Sequence, residues 1–135
     1  MSKGVVQIYY GEGHGKSTAA IGNAIHVASE GKNVIIIQFL KGKDENELAF
    51  LNRLEPEIKV FRFAKSDECF DELPENVKQE EIMNLRNGFN YGKKVVTTEA
   101  CDMLVLDEVL GIMDEKVITP DELKELFANK PEDMT

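Results

Sequence analysis

The chain has 135 residues, of which 42% are hydrophobic and 30% charged, and its formal net charge at pH 7 is −9. This length and composition are those of one globular domain with a core of its own, which spans residues 1–135. The negative charge argues against a protein that binds nucleic acids or membranes through a general surface. A negatively charged protein repels the phosphate groups of both.

The sequence carries no sign of export. It contains neither an apolar run of about 18 residues nor a secretory signal, which are the marks of a membrane span and of a leader. Cys69 and Cys101 lie far apart and form no paired motif. We therefore expect a cytoplasmic protein with two free thiols, of which Cys101 is buried near a strand.

The first part of the chain joins an apolar strand to a glycine-rich loop and a helix. Val5–Tyr10 has the strand pattern, and Lys16–Ser29 has a helical period that Gly31 ends. Between them, glycines at alternate positions let the loop turn its N–H groups inward, Lys16 adds a positive charge, and Ser17 adds a hydroxyl that can ligate Mg²⁺. The predicted phosphate-binding residues are Gly11, Glu12, Gly13, His14, Gly15, Lys16, Ser17 and Thr18.

This loop departs from the common phosphate-loop pattern G-x-x-x-x-G-K-[ST]. The first glycine of that pattern would fall on Tyr10, whereas the chain has its first loop glycine at Gly11. The alternative is a glycine-rich turn with a chance Lys-Ser pair, but the strand before it and the helix after it favour phosphate binding. His14 either donates to a phosphate or points to solvent, and both readings stay open.

The rest of the chain alternates strand and helix patterns. Thr119 begins the last helix as its cap, with Pro120 in the first turn and Glu122 closing a capping box. The alternation predicts an α/β fold with three layers and a mainly parallel sheet of about four strands flanked by helices. The glycine-rich loop before the first helix makes this fold one of the P-loop (RecA-like) type. Further strands are predicted at Asn33–Leu40, Ile58–Phe63 and Met103–Leu106, and further helices at Asn46–Leu54, Glu75–Glu99 and from Thr119 to about Asn129.

Two sequence patterns, a phenylalanine pair and a charged run, are interpreted as structural rather than as parts of a site. Phe61 and Phe63 share one face of their predicted strand by period two, which is typical of core residues. The charged run Glu75–Glu81 is most simply a solvated helix face.

The strand at Met103 ends in two acids, as DMLVLDE. Acids at the carboxyl edge of a parallel sheet lie where open α/β folds bind ligands, and in a P-loop fold they form the Walker B arrangement beside Mg²⁺. Asp107 is predicted to bind Mg²⁺ together with Ser17, and Glu108 is predicted to bind the metal or a catalytic water. Which acid has which role stays open. Lys16 and Glu108 are the candidate catalytic residues. The run Gln38–Gly42 is either part of the site or a plain strand end with a glycine turn.

Together these segments resemble the P-loop type ATP:corrinoid (cob(I)alamin) adenosyltransferases. The resemblance rests on GEGHGKSTAA, GKNVIIIQFLKG, YGKK and DMLVLDE, covers about residues 4 to 130, and includes the glycine spacing of the loop. It implies transfer of the 5′-deoxyadenosyl group from ATP to cobalt(I) of a corrinoid, with release of triphosphate, in adenosylcobalamin formation. ATP, Mg²⁺ and a reduced corrinoid are the implied ligands. Because the corrinoid cobalt is the nucleophile, no protein nucleophile is required.

The resemblance also bears on partners. In the family, aromatic residues after the third strand help to strip the lower axial ligand from the corrinoid, and Phe70 is the positional candidate here. A flavoprotein reductase is the implied source of cobalt(I). The family continues past the position of Thr135 with a strand bearing Thr-Gly-Arg, and this sequence lacks that segment. We therefore expect either that the first strand is covered by pairing in a homodimer or that the sequence is an incomplete piece of the protein.

Two other functions remain open from the residues alone. One is a small-molecule kinase or ATPase, which would normally add a lid with arginines, whereas arginine occurs here only at positions 53, 62 and 86. The other is a module that binds ATP or a corrinoid without catalysis.

Overall fold

A computed structural model describes residues 15–39, 53, 57–62, 74–107, 109–114 and 116–135. The elements are α1 (Gly15–Ser29), β1 (Val34–Gln38), β2 (Ile58–Arg62), α2 (Glu75–Thr98), β3 (Met103–Asp107), α3 (Val109–Asp114) and α4 (Pro120–Ala128). The strands and helices predicted over these residues are confirmed to within two residues at each end, and the short α3 was not predicted. The strand predicted at Val5–Tyr10 and nearly all of the helix predicted at Asn46–Leu54 lie outside the described residues.

The described strands form one parallel sheet in the order β2-β1-β3. Val34 pairs with Ile58 and Met103 at one end of the central strand β1. All five residues of β1 are buried, because elements cover both faces of the sheet, and this explains why the strand is apolar throughout rather than alternating. The α/β class is confirmed. The described sheet has three strands where about four were predicted, and Val5–Tyr10 is the predicted strand outside it.

Each face of the sheet has its own apolar core. On one face, Ala20 and Ala24 of α1 pack with residues such as Ile36 and Val105 of the sheet. On the other face, Ile35 and Ile37 pack with residues of α2, α3 and α4. The small alanines bring α1 close to the sheet, while Leu85, Phe89, Ile112, Leu123 and Leu126 supply bulk on the opposite face.

The direction of α1 follows from its connection to β1. Gly31, with a φ of 85°, turns the chain after Ser29, and β1 starts at Val34. A left-handed φ of this kind is the conformation that glycine adopts without a steric penalty, which is why the predicted helix end holds. Because the turn is short, α1 ends at the amino edge of the sheet, and it begins at the carboxyl edge.

The long helix α2 corrects one prediction. Most of the charged run Glu75–Glu81 faces solvent, but Glu81 is only 5% exposed. It stands one turn before Leu85, and residues four apart share a helix face, so Glu81 lies on the face that packs against the sheet. Charge alone did not show this, because the helical period sets the buried face.

The predicted capping box and the predicted core position of Phe61 are confirmed. At the start of α4, Glu122 N–H donates to Thr119 Oγ1 at 3.1 Å, and Thr119 N–H donates to Glu122 Oε1 at 3.1 Å, which completes the capping box. Phe61 is half-buried on the α2 side of the sheet, with its ring centroid 5.0 Å from that of Tyr91. Phe63 lies outside the described residues.

The last residues of the chain dock onto β3. Thr135 N–H donates to the Asp102 carbonyl at 2.9 Å, and Leu104 N–H donates to the Thr135 carbonyl at 2.7 Å, as in a parallel ladder. Lys130 Nζ donates to the Met134 carbonyl at 2.7 Å and holds the segment in place. Among the helices that the structure describes, none has the length and apolar character needed to cross a membrane.

Candidate functional site

The described residues include part of the predicted site. Gly15, Lys16, Ser17 and Thr18 form the first turn of α1, and Asp107 is the last residue of β3. The other predicted site residues lie outside the described part of the chain: Gly11, Glu12, Gly13, His14, Phe70 and Glu108.

Each of the three described strands ends in a polar residue, and these three residues are paired with one another across the sheet. Gln38 of β1 pairs with Arg62 of β2 on one side and with Asp107 of β3 on the other. Side chains paired across a sheet share a face, and in this row the face is that of α1, because Ile36 and Val105 two residues earlier belong to the core under α1. We call Arg62, Gln38 and Asp107 the edge row.

The start of α1 lies at the same edge and on the same face as the edge row. The first N–H groups of a helix have no partner within the helix, and they carry the positive end of its dipole. The topology therefore brings the first turn of α1 and the Asp107 carboxylate to one corner of the sheet. A helix start that favours anions, next to an acid that favours cations, can hold a metal ion and a polyphosphate together.

Asp107 is fixed in place by the sheet. Its carbonyl accepts a hydrogen bond from Phe39 N–H at 3.0 Å, which extends the pairing of β1 and β3 by one residue, and the residue is 8% exposed. Within the described ranges, no group of three or more His, Cys, Asp or Glu residues is placed to hold a metal ion. One carboxylate suits Mg²⁺ nonetheless, since this ion keeps several waters and takes phosphate oxygens as ligands.

Gln38 and Arg62 form a hydrogen-bonded pair in the edge row. The Gln38 side chain, 1% exposed, accepts at Oε1 from Arg62 Nε at 3.3 Å and from Arg62 Nη2 at 3.2 Å. The sequence left Gln38 open between a site role and a plain strand end, and the structure places it on the site face. Arg62 was not singled out as a site residue. The available signal was its position at the end of a strand, in phase with Gln38 and Asp107.

Cys101 stands apart from this site. It is a free thiol buried in the core on the α2 side, as predicted, and burial raises its pKa to about 11. A thiol with such a pKa is protonated at neutral pH, so Cys101 is not a nucleophile there.

The fold and the edge row define an α/β protein with a parallel sheet and a polar site at the carboxyl ends of its strands. The family model described as ATP:corrinoid adenosyltransferase BtuR/CobO/CobP matches residues 2–135. The chain belongs to this family, and the resemblance seen in its motifs is confirmed.

Curated relatives agree with the family match. The chain is 26% identical over 133 residues to the corrinoid adenosyltransferase of Escherichia coli strain K12, covering 98% of this chain and 65% of that protein. It is 31% identical over 107 residues to the corrinoid adenosyltransferase CobA of Salmonella typhimurium strain LT2, covering 79% of this chain and 52% of that protein. The chain therefore spans between one half and two thirds of the length of these relatives.

Proposed function

We propose that the protein transfers the 5′-deoxyadenosyl group of ATP to cobalt(I) of a corrinoid and releases triphosphate, in the formation of adenosylcobalamin. The observation that carries this proposal is the family match over residues 2–135. The meeting of the α1 start and Asp107 at one sheet edge supports it, because a P-loop fold places its phosphate loop and its Walker B acid in this way.

The reaction requires that the protein bind ATP and stabilise the charge of the leaving triphosphate. It does not require a protein nucleophile. The electron pair of cobalt(I) forms the bond to the 5′ carbon of ATP, and the bond from that carbon to the triphosphate oxygen breaks. Its electrons leave with triphosphate, and cobalt becomes formally cobalt(III). No proton moves, so the residues that matter are those that orient ATP and stabilise the leaving triphosphate.

We assign the residues of this chain to those tasks. The loop Gly11–Thr18 and the first turn of α1 bind the triphosphate, with Lys16 offsetting negative charge as it leaves. Asp107 holds Mg²⁺ together with Ser17, and Glu108 holds the metal or orders a water beside it. The metal ion supplies positive charge against the triphosphate when it is bound.

An anoxic assay separates this function from its rivals. The protein is mixed with ATP, Mg²⁺ and chemically reduced cobalamin, and the adenosylcobalamin spectrum is followed while the phosphate products are separated. Adenosyl transfer gives adenosylcobalamin and triphosphate in equal amounts. ADP as the product indicates a kinase or ATPase, and nucleotide binding with no product indicates a binding module.

We further propose the partners that the family implies. A flavoprotein reductase supplies cobalt(I), Phe70 approaches the lower face of the corrinoid, and the protein works as a homodimer in the cytoplasm. Sedimentation equilibrium tests the dimer, and a purely monomeric protein at micromolar concentration contradicts it.

A further inference from the structure

A small cleft lies between the C-terminal halves of α2 and α4, on the face of the sheet opposite to the edge row. Its volume is about 100 Å³, so its ligand has only a few non-hydrogen atoms. Val96 and Leu126 are buried and form its apolar floor. The polar residues that line it are Lys93, Thr97, Glu125 and Asn129.

The rim of this cleft carries two opposite charges that are not paired with each other. Lys93 Nζ lies 3.9 Å from Glu122 Oε2 and 5.4 Å from the centre of the Phe89 ring. In the part of the chain that the structure describes, no ion pair joins Lys93 to Glu125. A molecule that itself carries an anionic and a cationic group can therefore bind between the two side chains and pair with both.

The other two polar residues can complete the hydrogen bonds of such a molecule. The Thr97 hydroxyl donates its proton to the Lys93 carbonyl at 2.8 Å, so its oxygen is left to accept a bond from a ligand. The amide of Asn129 offers both a donor and an acceptor. An ammonium group brings three donors and a carboxylate brings only acceptors, so the cleft has partners for each.

The charges of the cleft distinguish between classes of small ligand. A simple anion would pair with Lys93 but be repelled by Glu125 and by the net charge of −9. A simple cation would pair with Glu125 and leave Lys93 without a gain. A zwitterion pairs with both, and the α-amino acids place their two charges on neighbouring groups, as a cleft of this size requires.

We propose that this cleft binds a small α-amino acid as its zwitterion. The carboxylate lies at Lys93, the ammonium group lies at Glu125, and a small apolar side chain packs on Val96 and Leu126. The site is formed by α2 and α4 alone and lies away from the edge row, so it does not depend on the proposed function.

The first test is a titration of the ¹⁵N-labelled full chain with L-alanine, followed by NMR. Saturable shifts are expected at the amides of the residues that line the cleft, with a Kd of about 1–10 mM, because the charges are exposed and the ligand is small. Propionate lacks the ammonium group of L-alanine and ethylamine lacks its carboxylate. Each is expected to bind about 3- to 10-fold more weakly.

The second test uses variants with matched controls. Lys93→Met and Glu125→Gln each remove one charge of the rim and are expected to weaken L-alanine binding about 3- to 10-fold. Lys94→Met and Asp121→Asn are the controls, since Lys94 and Asp121 are exposed charges of α2 and α4 that do not line the cleft. Both controls are expected to bind L-alanine as the wild type does.

The inference is overturned if L-alanine causes no saturable shift up to about 100 mM, or if propionate or ethylamine binds as tightly as L-alanine. It is also overturned if folded Lys93→Met and Glu125→Gln bind like their controls. Circular dichroism shows whether each variant is folded, and if one is not, the ligand series in the wild type decides. The adenosyl transfer assay tests the proposed function separately, since none of these results bears on it.

Discussion

At the scale of single residues, the ends of the strands differ sharply from their middles. β1 runs through four buried apolar residues and then places Gln38, also buried, in line with Asp107. Polar groups in such positions lower stability unless they are bonded, so their presence points to a task other than packing.

Asp107→Asn is expected to lower the rate of adenosyl transfer at least 100-fold while leaving the fold intact. The amide keeps the shape of the carboxylate but loses the charge that would hold Mg²⁺. The measurement is the rate of adenosylcobalamin formation as a function of Mg²⁺ concentration. Asp102→Asn is the control, because Asp102 lies at the opposite end of the same strand, where it accepts a bond from Asn33 N–H at 2.9 Å. Equal losses in both variants would contradict a specific role for Asp107.

Glu99→Gly is expected to stabilise the protein by about 0.5–1 kcal/mol, because Glu99 ends α2 with a φ of 53°. This left-handed conformation strains a residue with a Cβ and suits glycine. Lys94→Gly, at an exposed position inside the same helix, is expected to destabilise by about 1 kcal/mol. Urea unfolding measures both. A loss of stability in Glu99→Gly would show that the glutamate side chain makes a compensating contact.

At the scale of elements, the start of α4 links two helices through one carboxylate. Glu122 closes the capping box and is paired with Arg86 of α2, with Lys93 Nζ 3.9 Å away. The hydrogen bond from Arg86 is the main cause that lowers the pKa of Glu122, and it raises the pKa of Arg86. The link fixes how α4 sits on α2, opposite to the site face.

Because of this pairing, the free energy of unfolding is expected to fall as the pH is lowered. Because the pKa of Glu122 is lower in the folded state, its stabilising effect is present above the ordinary carboxyl pKa of 4.5 and is lost as the pH falls through the folded value. Glu122→Gln keeps the capping box, since glutamine also serves there, and removes only the charge. We expect a loss of about 0.5 kcal/mol at pH 7 for this partly exposed pair, and none near pH 2.

Urea unfolding at both pH values measures the effect. Glu125→Gln, an exposed acid on the same helix, is the control and is expected to show no such difference. A loss for Glu122→Gln that is the same at both pH values would show that the charge is not its cause.

Most elements could be predicted from the sequence because their signals are local. The apolar run of β1, the capping box at Thr119 and the helical period of α2 each act over a few neighbouring residues. The pairing of Gln38 with Arg62 depends on strand order and register, which join residues far apart in sequence. Glu81 was misjudged because its burial is decided by which face of α2 meets the sheet. The Mg²⁺ and phosphate roles of Ser17 and Asp107 stay predictions.

At the scale of the whole molecule, the two sides of the sheet are built for different purposes. The α2 side packs bulky apolar residues such as Phe89 and Ile112, and it carries the ion pair between Arg86 and Glu122. The α1 side packs small alanines and ends in the edge row. The alanines hold α1 close to the sheet, and its first turn lies at the carboxyl edge, where Asp107 ends β3. The packing on this side therefore positions the proposed nucleotide site.

The central claim is that the 5′ carbon of ATP becomes bonded to cobalt, and an isotope label tests it most directly. ATP carrying ¹³C at the 5′ position is incubated with the protein, Mg²⁺ and chemically reduced cobalamin without oxygen, and the products are examined by ¹³C NMR. The account predicts that the label appears in a cobalt-bound methylene and that triphosphate is released in equal amount. Label that stays in ADP or AMP, with the corrinoid unchanged, would contradict it.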